Sequence, residues 1–181
     1  MTATPKDNIV LDATDINRMV TRIAHEILEK HKNIEKLALI GIQTRGVFIA
    51  RRIQAEIRKV EGVSVPVGEI DITLYRDDWT RISHHPIVKP TEIQFTVDNM
   101  AIILVDDVLF TGRTIRAAMD ALLDFGRPAR IELAVLADRG HREFPIQPDY
   151  SGRFIETQYK DTINVHLTEY DGADNVVMDR G

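Results

Sequence analysis

The chain of 181 residues contains no cysteine, and no apolar run in it approaches the length of a membrane span. The first absence excludes disulfides, zinc–thiolate sites, iron–sulfur clusters and thiol nucleophiles, and it fits a reducing cytoplasm. The second excludes a membrane-embedded class, because a spanning helix needs roughly 20 apolar residues. The first eight residues also lack the apolar stretch of a signal peptide. We therefore expect a cytoplasmic protein without a membrane partner.

Basic residues are fewer than acidic ones: 23 Lys and Arg stand against 28 Asp and Glu, for a formal net charge of −5. A net negative charge argues against a protein that binds nucleic acid over its whole surface, although it is compatible with a local basic patch. A chain of this length can bury roughly 70% of its unfolded surface. We predict one domain spanning residues 1–181, with residues 1–8 as a disordered tail.

The spacing of apolar residues predicts alternating helices and strands. Apolar residues recur at steps of three and four from Asp12 to about Lys32, which is typical of a helix that buries one face. The run Leu37–Ile42 predicts a strand buried on both faces. The same criteria predict helices at 47–60 and 113–125, and strands at 65–75, 101–105, 131–137 and 163–167. This order indicates an α/β fold with a mainly parallel central sheet and helices on both faces.

The turn after the most apolar strand carries the clearest chemistry. Thr111, Gly112 and Thr114 stand at the start of a helix, where backbone N–H groups and the helix dipole suit a phosphate. Asp106 and Asp107, just upstream, can accept hydrogen bonds from vicinal hydroxyls or hold a divalent cation through its waters. One turn would therefore bind a sugar's hydroxyls and its phosphate. A helix cap beside surface acids is the structural alternative.

Two further polar turns follow predicted strands. Thr44-Arg45-Gly46 follows the first buried strand, and Asp138–Arg142 follows the strand at 131–137. Because ligands bind at the carboxyl ends of parallel strands, we expect these turns to share one site. Residues 76–97 form a long polar stretch with two adjacent histidines. Loops of that length in compact domains are usually functional or mobile.

The stretch from Ile102 to Thr114 resembles the phosphoribosyl pyrophosphate (PRPP) loop of type I phosphoribosyltransferases. Outside it, four segments resemble the PyrR family of these enzymes, in order along the chain: residues 21–26, 41–46, 68–78 and 138–143. The resemblance runs from about Ile9 to Tyr150. It implies a type I phosphoribosyltransferase fold with a small hood, assembled as a homodimer or homotetramer. It also implies that residues 76–97 are a flexible loop that closes over PRPP.

The resemblance implies a uracil phosphoribosyltransferase, which converts uracil and PRPP to UMP and pyrophosphate. Mg²⁺ would be carried by PRPP and reach Asp106 or Asp107 only through water, with no direct protein ligand. These two acids would hold the ribose hydroxyls, and Arg45 and Arg76 would complete the catalytic set. The 5′-phosphate cradle would consist of Val108, Leu109, Phe110, Thr111, Gly112, Arg113 and Thr114.

Three other assignments follow from the resemblance, each with a structural alternative. Thr44, Arg45 and Gly46 match the pyrophosphate loop, in which related enzymes hold a non-proline cis peptide, expected here at Thr44-Arg45. Arg45 and Arg76 are alternatively ordinary solvated arginines. Asp138 and Arg139 would lie beside the base, or they form an ion pair that orders the turn.

PyrR proteins also bind the leader of pyrimidine operon messenger RNA when UMP or UTP is present, which terminates transcription. The polar side of the first helix groups cations and hydrogen-bond donors that suit RNA phosphates and loop bases. With two residues added by the resemblance, the predicted RNA contacts are Arg18, Thr21, Arg22, His25, His141 and Arg142. A solvated face or a subunit contact is the alternative.

Two departures from the family pattern bear on RNA binding. The segment Pro145–Pro148 lacks an expected basic residue, and the chain after Tyr150 diverges, with acids at Glu169, Asp171, Asp174 and Asp179. The favoured hypothesis is an RNA-binding regulator that is also a uracil phosphoribosyltransferase. The alternatives are the enzyme alone with a vestigial RNA face, a regulator with a UMP-sensing site only, and a purine or orotate phosphoribosyltransferase.

Overall fold

The computed structural model describes residues 8–76 and 90–181. Its helices are α1 (Ala13–Lys30), α2 (Arg45–Glu61), α3 (Arg113–Leu123) and α4 (Thr168–Asp171). Its strands are β1 (Ile9–Leu11), β2 (Leu37–Ile42), β3 (Val67–Ile70), β4 (Ala101–Leu109), β5 (Arg130–Asp138), β6 (Tyr150–Phe154), β7 (Thr162–His166) and β8 (Asn175–Asp179). Short 3-10 turns lie at Ile34–Lys36 and Thr73–Tyr75.

Five parallel strands form the central sheet, in the order β3-β2-β4-β5-β6. Alternate residues of β2 and β4 point to opposite faces, so Leu39 and Ile103 pack under α1 and α2. Ile40 and Leu104 pack on the other face, under α3. The predicted α/β fold, with a parallel sheet between helices, is confirmed. Within the described residues, no helix is long and apolar enough to cross a membrane.

The helix ends follow their caps. Asp12 accepts a hydrogen bond from the N–H of Asp15 at 2.9 Å, and the Asp15 carboxylate accepts one from the N–H of Asp12 at 3.3 Å. This capping box starts α1. Gly62 ends α2 with φ 74°, a left-handed conformation that glycine adopts without strain. The predicted helices agree with the structure to within two residues at each end.

The predicted strand at 65–75 is shorter in the structure. Its alternating pattern extends beyond Ile70, but the Asp71 carboxylate accepts hydrogen bonds from the N–H and hydroxyl of Thr73, at 2.8 and 2.6 Å. This side chain turns the backbone into a 3-10 turn and ends β3. Of the predicted flexible loop, residues 77–89 lie outside the described part, and Val97 is buried against α3.

The C-terminal third is more ordered than its sequence pattern suggested. β6 adds a parallel strand at the edge of the central sheet, and β1, β8 and β7 form a separate antiparallel sheet. Of these strands the sequence pattern identified only β7. The three-stranded sheet is the small second layer that the predicted fold class includes as a hood.

A buried carboxylate joins three elements at the amino end of the sheet. Glu132, only 5% exposed, accepts hydrogen bonds from the Tyr150 hydroxyl at 2.7 Å and pairs with His31 at 2.8 Å. Lys30 lies 3.0 Å from its other oxygen. Burial alone would raise the pKa of Glu132, but these hydrogen bonds outweigh it and lower the pKa to about 2. The Glu132 carboxylate therefore ties α1 to β5 and β6.

This network predicts an acid-sensitive contribution to stability. The pKa of Glu132 falls from 4.5 to about 2 on folding, so its contribution is complete above pH 4.5 and is lost as the pH falls toward 2. Glu132→Gln should lower the free energy of unfolding by roughly 2 kcal/mol at pH 7 and by much less at pH 3. Urea denaturation followed by circular dichroism measures both values. The exposed Glu29→Gln is the control, and an equal loss at both pH values would contradict the assignment.

Candidate functional site

Two adjoining cavities lie at the carboxyl edge of the central sheet. The first, of about 310 Å³, lies between the turn after β2 and the paired aspartates of β4, and we call it the acid cavity. The second, of about 350 Å³, lies over the start of α3, and we call it the phosphate cavity. Arg76, Val108 and Thr114 line both. The turns after β2 and β4 therefore meet at one site, as predicted.

A close backbone contact brings the two turns together. Gly46 lies against the carbonyl oxygen of Val105, and any side chain at Gly46 would overlap that oxygen and the backbone of Asp106. The start of α2 therefore touches the end of β4. The non-proline cis peptide lies between Gln43 and Thr44, one bond before the expected position at Thr44-Arg45.

Asp106, which is buried, and Asp107, which is half-buried, form a carboxyl pair on the last part of β4. Asp106 accepts a hydrogen bond from the N–H of Asp107 at 2.9 Å, and Asp107 accepts one from the N–H of Val108 at 2.8 Å. Burial and the neighbouring charge of Asp107 raise the pKa of Asp106 well above its usual range. Burial also raises the pKa of Asp107, against the opposing effect of the Val108 N–H and Arg45. The pair offers hydrogen-bonding oxygens in a place shielded from water.

The start of α3 forms the floor of the phosphate cavity. Gly112 precedes it with φ 91° and offers no side-chain cap, and the Thr111 hydroxyl accepts only a long hydrogen bond of 3.4 Å from the N–H of Arg113. Backbone N–H groups at an uncapped helix start are suited to an anion. Arg113 pairs with Glu143 at 2.7 Å and lies 5.1 Å from the Phe144 ring. The Arg113 side chain is therefore paired at the wall of this cavity, which Glu143 also lines.

The predicted catalytic arginines occupy different settings. Arg76 is exposed and lines both cavities. Arg45 lines the acid cavity, and its guanidinium forms a two-point ion pair with Asp171, at 2.9 and 2.6 Å. This pairing raises the pKa of Arg45, and the charge of Asp107 adds to the shift. Arg45 is thus only partly exposed and lies near the carboxyl pair.

The predicted base-proximal residues order the turn after β5. Asp138 pairs with Arg142 at 2.6 Å and accepts the N–H of Gly140 at 2.9 Å. Arg139 stacks on the Phe110 ring, 4.0 Å from its centroid, and donates to the carbonyl of Gln158 at 3.0 Å. The alternative, an ion pair of Asp138 with Arg139, does not occur among the described contacts, because Asp138 pairs with Arg142. Neither Asp138 nor Arg139 lines the phosphate cavity, whose described wall includes Phe110.

Four of the predicted RNA contacts share one side of α1. Arg18, Arg22 and His25 are exposed and Thr21 is half-buried. Arg22 also donates to the carbonyl of Ser151 at 3.0 Å, which anchors it to the edge strand β6. We call Arg18, Thr21, Arg22 and His25 the α1 polar face.

The other two predicted RNA contacts do not fit a role on that face. Arg142 donates to the carbonyls of Phe110 at 3.0 Å and Ile146 at 2.8 Å, besides its pair with Asp138. His141 is half-buried, with its Nε2 2.8 Å from the carbonyl of Thr157. The polar groups of His141 and Arg142 form hydrogen bonds within the protein. We therefore infer that both residues stabilise the turn after β5.

The acids that marked the divergent C-terminal part have partners in the structure. Arg52 pairs with Glu169, and with Asp174 at 2.7 Å. Asp171 pairs with Arg45, and Asp179 accepts a hydrogen bond from Asn164 at 2.8 Å. These acids hold the C-terminal hairpin to α2 and to itself. The charges of Glu169, Asp171 and Asp174 are balanced by arginines, whereas the partner of Asp179 is neutral.

Three titratable residues that line the site were missed in the sequence. Asp71 lines the acid cavity directly after β3, but the predicted strand at 65–75 placed it inside the strand, so its position at a strand end was hidden. Glu143 and Tyr159 line the phosphate cavity and are hydrogen-bonded to each other at 3.0 Å. Tyr159 lies in an irregular segment, where no local pattern marks it.

No group of three or more metal-binding side chains occurs among residues 8–76 and 90–181. The carboxylates nearest to such a role are Asp106 and Asp107, with Asp71 on the same cavity. Two adjoining carboxyls fit a cation that is mainly held by a bound phosphate ligand and touches the protein through water.

Comparison with solved structures gives the fold family. The hypoxanthine phosphoribosyltransferase of Trypanosoma cruzi in complex with IMP superposes with TM-score 0.73 and 16% identity, covering 99% of this chain and 94% of that one. The corresponding enzyme of Staphylococcus aureus gives 0.71 and 15%, covering 99% and 98%. At such identities the likeness concerns the fold alone.

Sequence comparison is more specific. The family model of the phosphoribosyl transferase domain matches residues 8–170. The bifunctional protein PyrR of Desulfosudis oleivorans is 56% identical over 170 residues, which cover 93% of this chain and 94% of that protein. The one of Acetivibrio thermocellus is 56% identical over 169 residues, covering 93% and 92%. This chain belongs to the phosphoribosyltransferase family and, within it, to the PyrR proteins.

Proposed function

We propose that this protein transfers the phosphoribosyl group of PRPP to uracil, releasing pyrophosphate and UMP, and regulates pyrimidine operons by binding leader RNA with UMP or UTP. The observation that carries the enzymatic part is the carboxyl pair Asp106 and Asp107, which lines the acid cavity directly before Val108, a residue that lines both cavities. One cavity has an uncapped helix start for a monoester phosphate, and the other has arginine for a pyrophosphate. The carboxyl pair suits the sugar. A cytoplasmic location fits these substrates.

The reaction needs positioning more than proton transfer. Displacement of pyrophosphate from the anomeric carbon passes through a cationic, oxocarbenium-like transition state, so aligned substrates and neutralised phosphate charge lower the barrier. In our proposal Asp106 and Asp107 accept hydrogen bonds from the ribose hydroxyls, and the α3 start binds the 5′-phosphate. Arg45 and Arg76 neutralise the pyrophosphate in the acid cavity.

Mg²⁺ fits this arrangement as an ion that arrives with PRPP. Asp106 and Asp107 would face its hydration shell, and the ion would supply charge neutralisation on the departing pyrophosphate. Burial raises the pKa of both acids, and the charge of Asp107 raises that of Asp106 further, so a cation that offsets the two negative charges is favoured here. This supports magnesium without a closed set of protein ligands.

The aromatic end of the phosphate cavity is our proposed place for uracil. The ring centroids of Phe110 and Tyr159 lie 5.3 Å apart, and the guanidinium carbon of Arg139 lies 4.0 Å from the centroid of the Phe110 ring. A flat, neutral base is suited to a ring face with backbone groups at its edge. In this proposal Asp138 and Arg139 act on the base indirectly, through Phe110 and the ordered turn.

Asp107→Asn tests the catalytic assignment. The asparagine keeps the side-chain oxygen that accepts the Val108 N–H, so the fold should remain intact while the charge is removed. We expect the rate of UMP formation from radiolabelled uracil, PRPP and Mg²⁺ to fall about 100-fold, because the transition state is no longer stabilised by that charge. Asp120→Asn, on the exposed side of α3, is the matched control. Unchanged kinetics, or wild-type protein that accepts hypoxanthine or orotate but no uracil, would refute the proposal.

The regulatory part of the proposal rests on the α1 polar face. Its cations share one side of a helix next to the edge strand β6, and Arg18 and His25 are exposed there. Glu26 and Glu29 lie on the same side, so the net charge of the face is small. A weakly charged face with grouped donors suits recognition of RNA loop bases and a few phosphates better than non-specific attraction. The relatives are named as bifunctional proteins, which supports proposing this second activity.

Arg18→Ala tests the RNA face with less structural disturbance than a change at Arg22, which anchors β6. The variant should bind the host's pyrimidine leader RNA more weakly, with a salt slope reduced by about 1 for each phosphate that Arg18 neutralises in the wild type. UMP synthesis should stay unchanged. Gel shifts with and without UMP measure binding, and Arg116→Ala on α3 is the control. If wild-type protein binds no leader RNA in either condition, the enzyme alone remains.

A further inference from the structure

The connection between β7 and β8 reaches across to α2. We call residues 168–174, which include α4, the C-terminal tip. Two arginines seven residues apart on α2, Arg45 and Arg52, share one face of that helix and both bind the tip. Arg52 holds Glu169 and Asp174, away from the cavities. Arg45 holds Asp171 and also lines the acid cavity.

The ion pair of Arg45 with Asp171 uses one edge of the guanidinium. Nε lies 2.9 Å from Oδ2 and Nη2 lies 2.6 Å from Oδ1. The Tyr170 ring lies 5.3 Å from the guanidinium carbon, and it rests on Phe48 with centroids 6.3 Å apart. Asp171 is itself held by the N–H of Leu167 at 2.9 Å. The guanidinium is therefore restrained both at one edge and on its flat face.

The contacts to Asp171 involve Nε and Nη2, so Nη1 remains to contact a ligand of the acid cavity. A guanidinium can bind two anions at different edges, since it has five N–H donors in a planar fork. Arg45 and Asp171 are 28% and 15% exposed, so water competes only partly for their pair. An arginine held in this way loses little further freedom when an anion binds to it.

We propose that Asp171 is a positioning residue for the pyrophosphate group of PRPP, holding Arg45 by one edge so that its remaining N–H groups bind the pyrophosphate. This inference rests on the proposed function of the same site. Asp171 touches no substrate and acts only through Arg45. Without Asp171 the arginine side chain must be ordered by the ligand itself, which weakens binding by about 3- to 10-fold.

The test compares Asp171→Asn with wild type by calorimetric titration of inorganic pyrophosphate with Mg²⁺ and by steady-state kinetics. We expect the Kd for pyrophosphate and the KM for PRPP to rise about 3- to 10-fold, with kcat changed by less than about twofold. Glu169→Gln breaks a tip contact to Arg52 instead, so it is the matched control and should leave both constants unchanged. Unchanged constants in Asp171→Asn, or an equal loss in the control, would overturn the proposal.

A double-mutant cycle with Arg45→Lys separates positioning from general support of the tip. Lysine offers no second edge, so Asp171→Asn should cost no further affinity for pyrophosphate in the Arg45→Lys background. A full additional loss there would show that Asp171 acts by another route. If wild-type protein itself neither binds pyrophosphate nor forms UMP, the proposed function fails. If wild type is active and Asp171→Asn behaves identically, only the positioning role fails.

Discussion

The site depends on a contact that involves no side chain. Gly46 at the start of α2 packs against the carbonyl oxygen of Val105 on β4, and any larger residue would push these elements apart. The contact sets the turn after β2 beside Asp106 and Asp107. It also fixes the direction in which α2 leaves the sheet, and hence where Arg45 and Arg52 meet the C-terminal tip. This close approach therefore sets the width of the acid cavity between Arg45 and the carboxyl pair.

The carboxyl pair is held by a strand where a loop would be more usual. β4 continues to Leu109, and its pairing with β5 runs on through Val108 and Leu109, beyond both aspartates. Burial raises the pKa of each acid, so keeping both carboxyls ionised costs free energy in the protein without a ligand. Part of that cost is offset by Arg45, whose own charge is balanced by Asp171. The paired backbone of β4 and the alternating charges of Asp107, Arg45 and Asp171 hold the carboxyl oxygens in place for a sugar.

Four of the five strands of the central sheet were predictable because their signals are local, whereas the edge strand β6 was not. The buried run of β2, the capping box of α1 and the polar turns at strand ends each lie within a few adjacent residues. The contacts of the C-terminal part join residues that are distant in sequence: Arg45 and Asp171 are separated by 126 positions. No local pattern distinguishes Asp171 from a surface acid, or Arg142, which points inward, from a ligand-binding arginine. The position of the acid cavity was therefore predictable from the sequence, but the contacts that support it were not.

The structure changes what the excess of acidic residues implies for RNA binding. Glu169, Asp171 and Asp174 pair with arginines of α2, so they add little to the field that an RNA would meet. Screening by water and salt confines the influence of the remaining charges to about 10 Å. What matters for RNA is the local balance on α1, where basic groups stand beside Glu26 and Glu29. A nearly neutral face cannot hold RNA by charge alone, so specific hydrogen bonding must contribute most of the affinity.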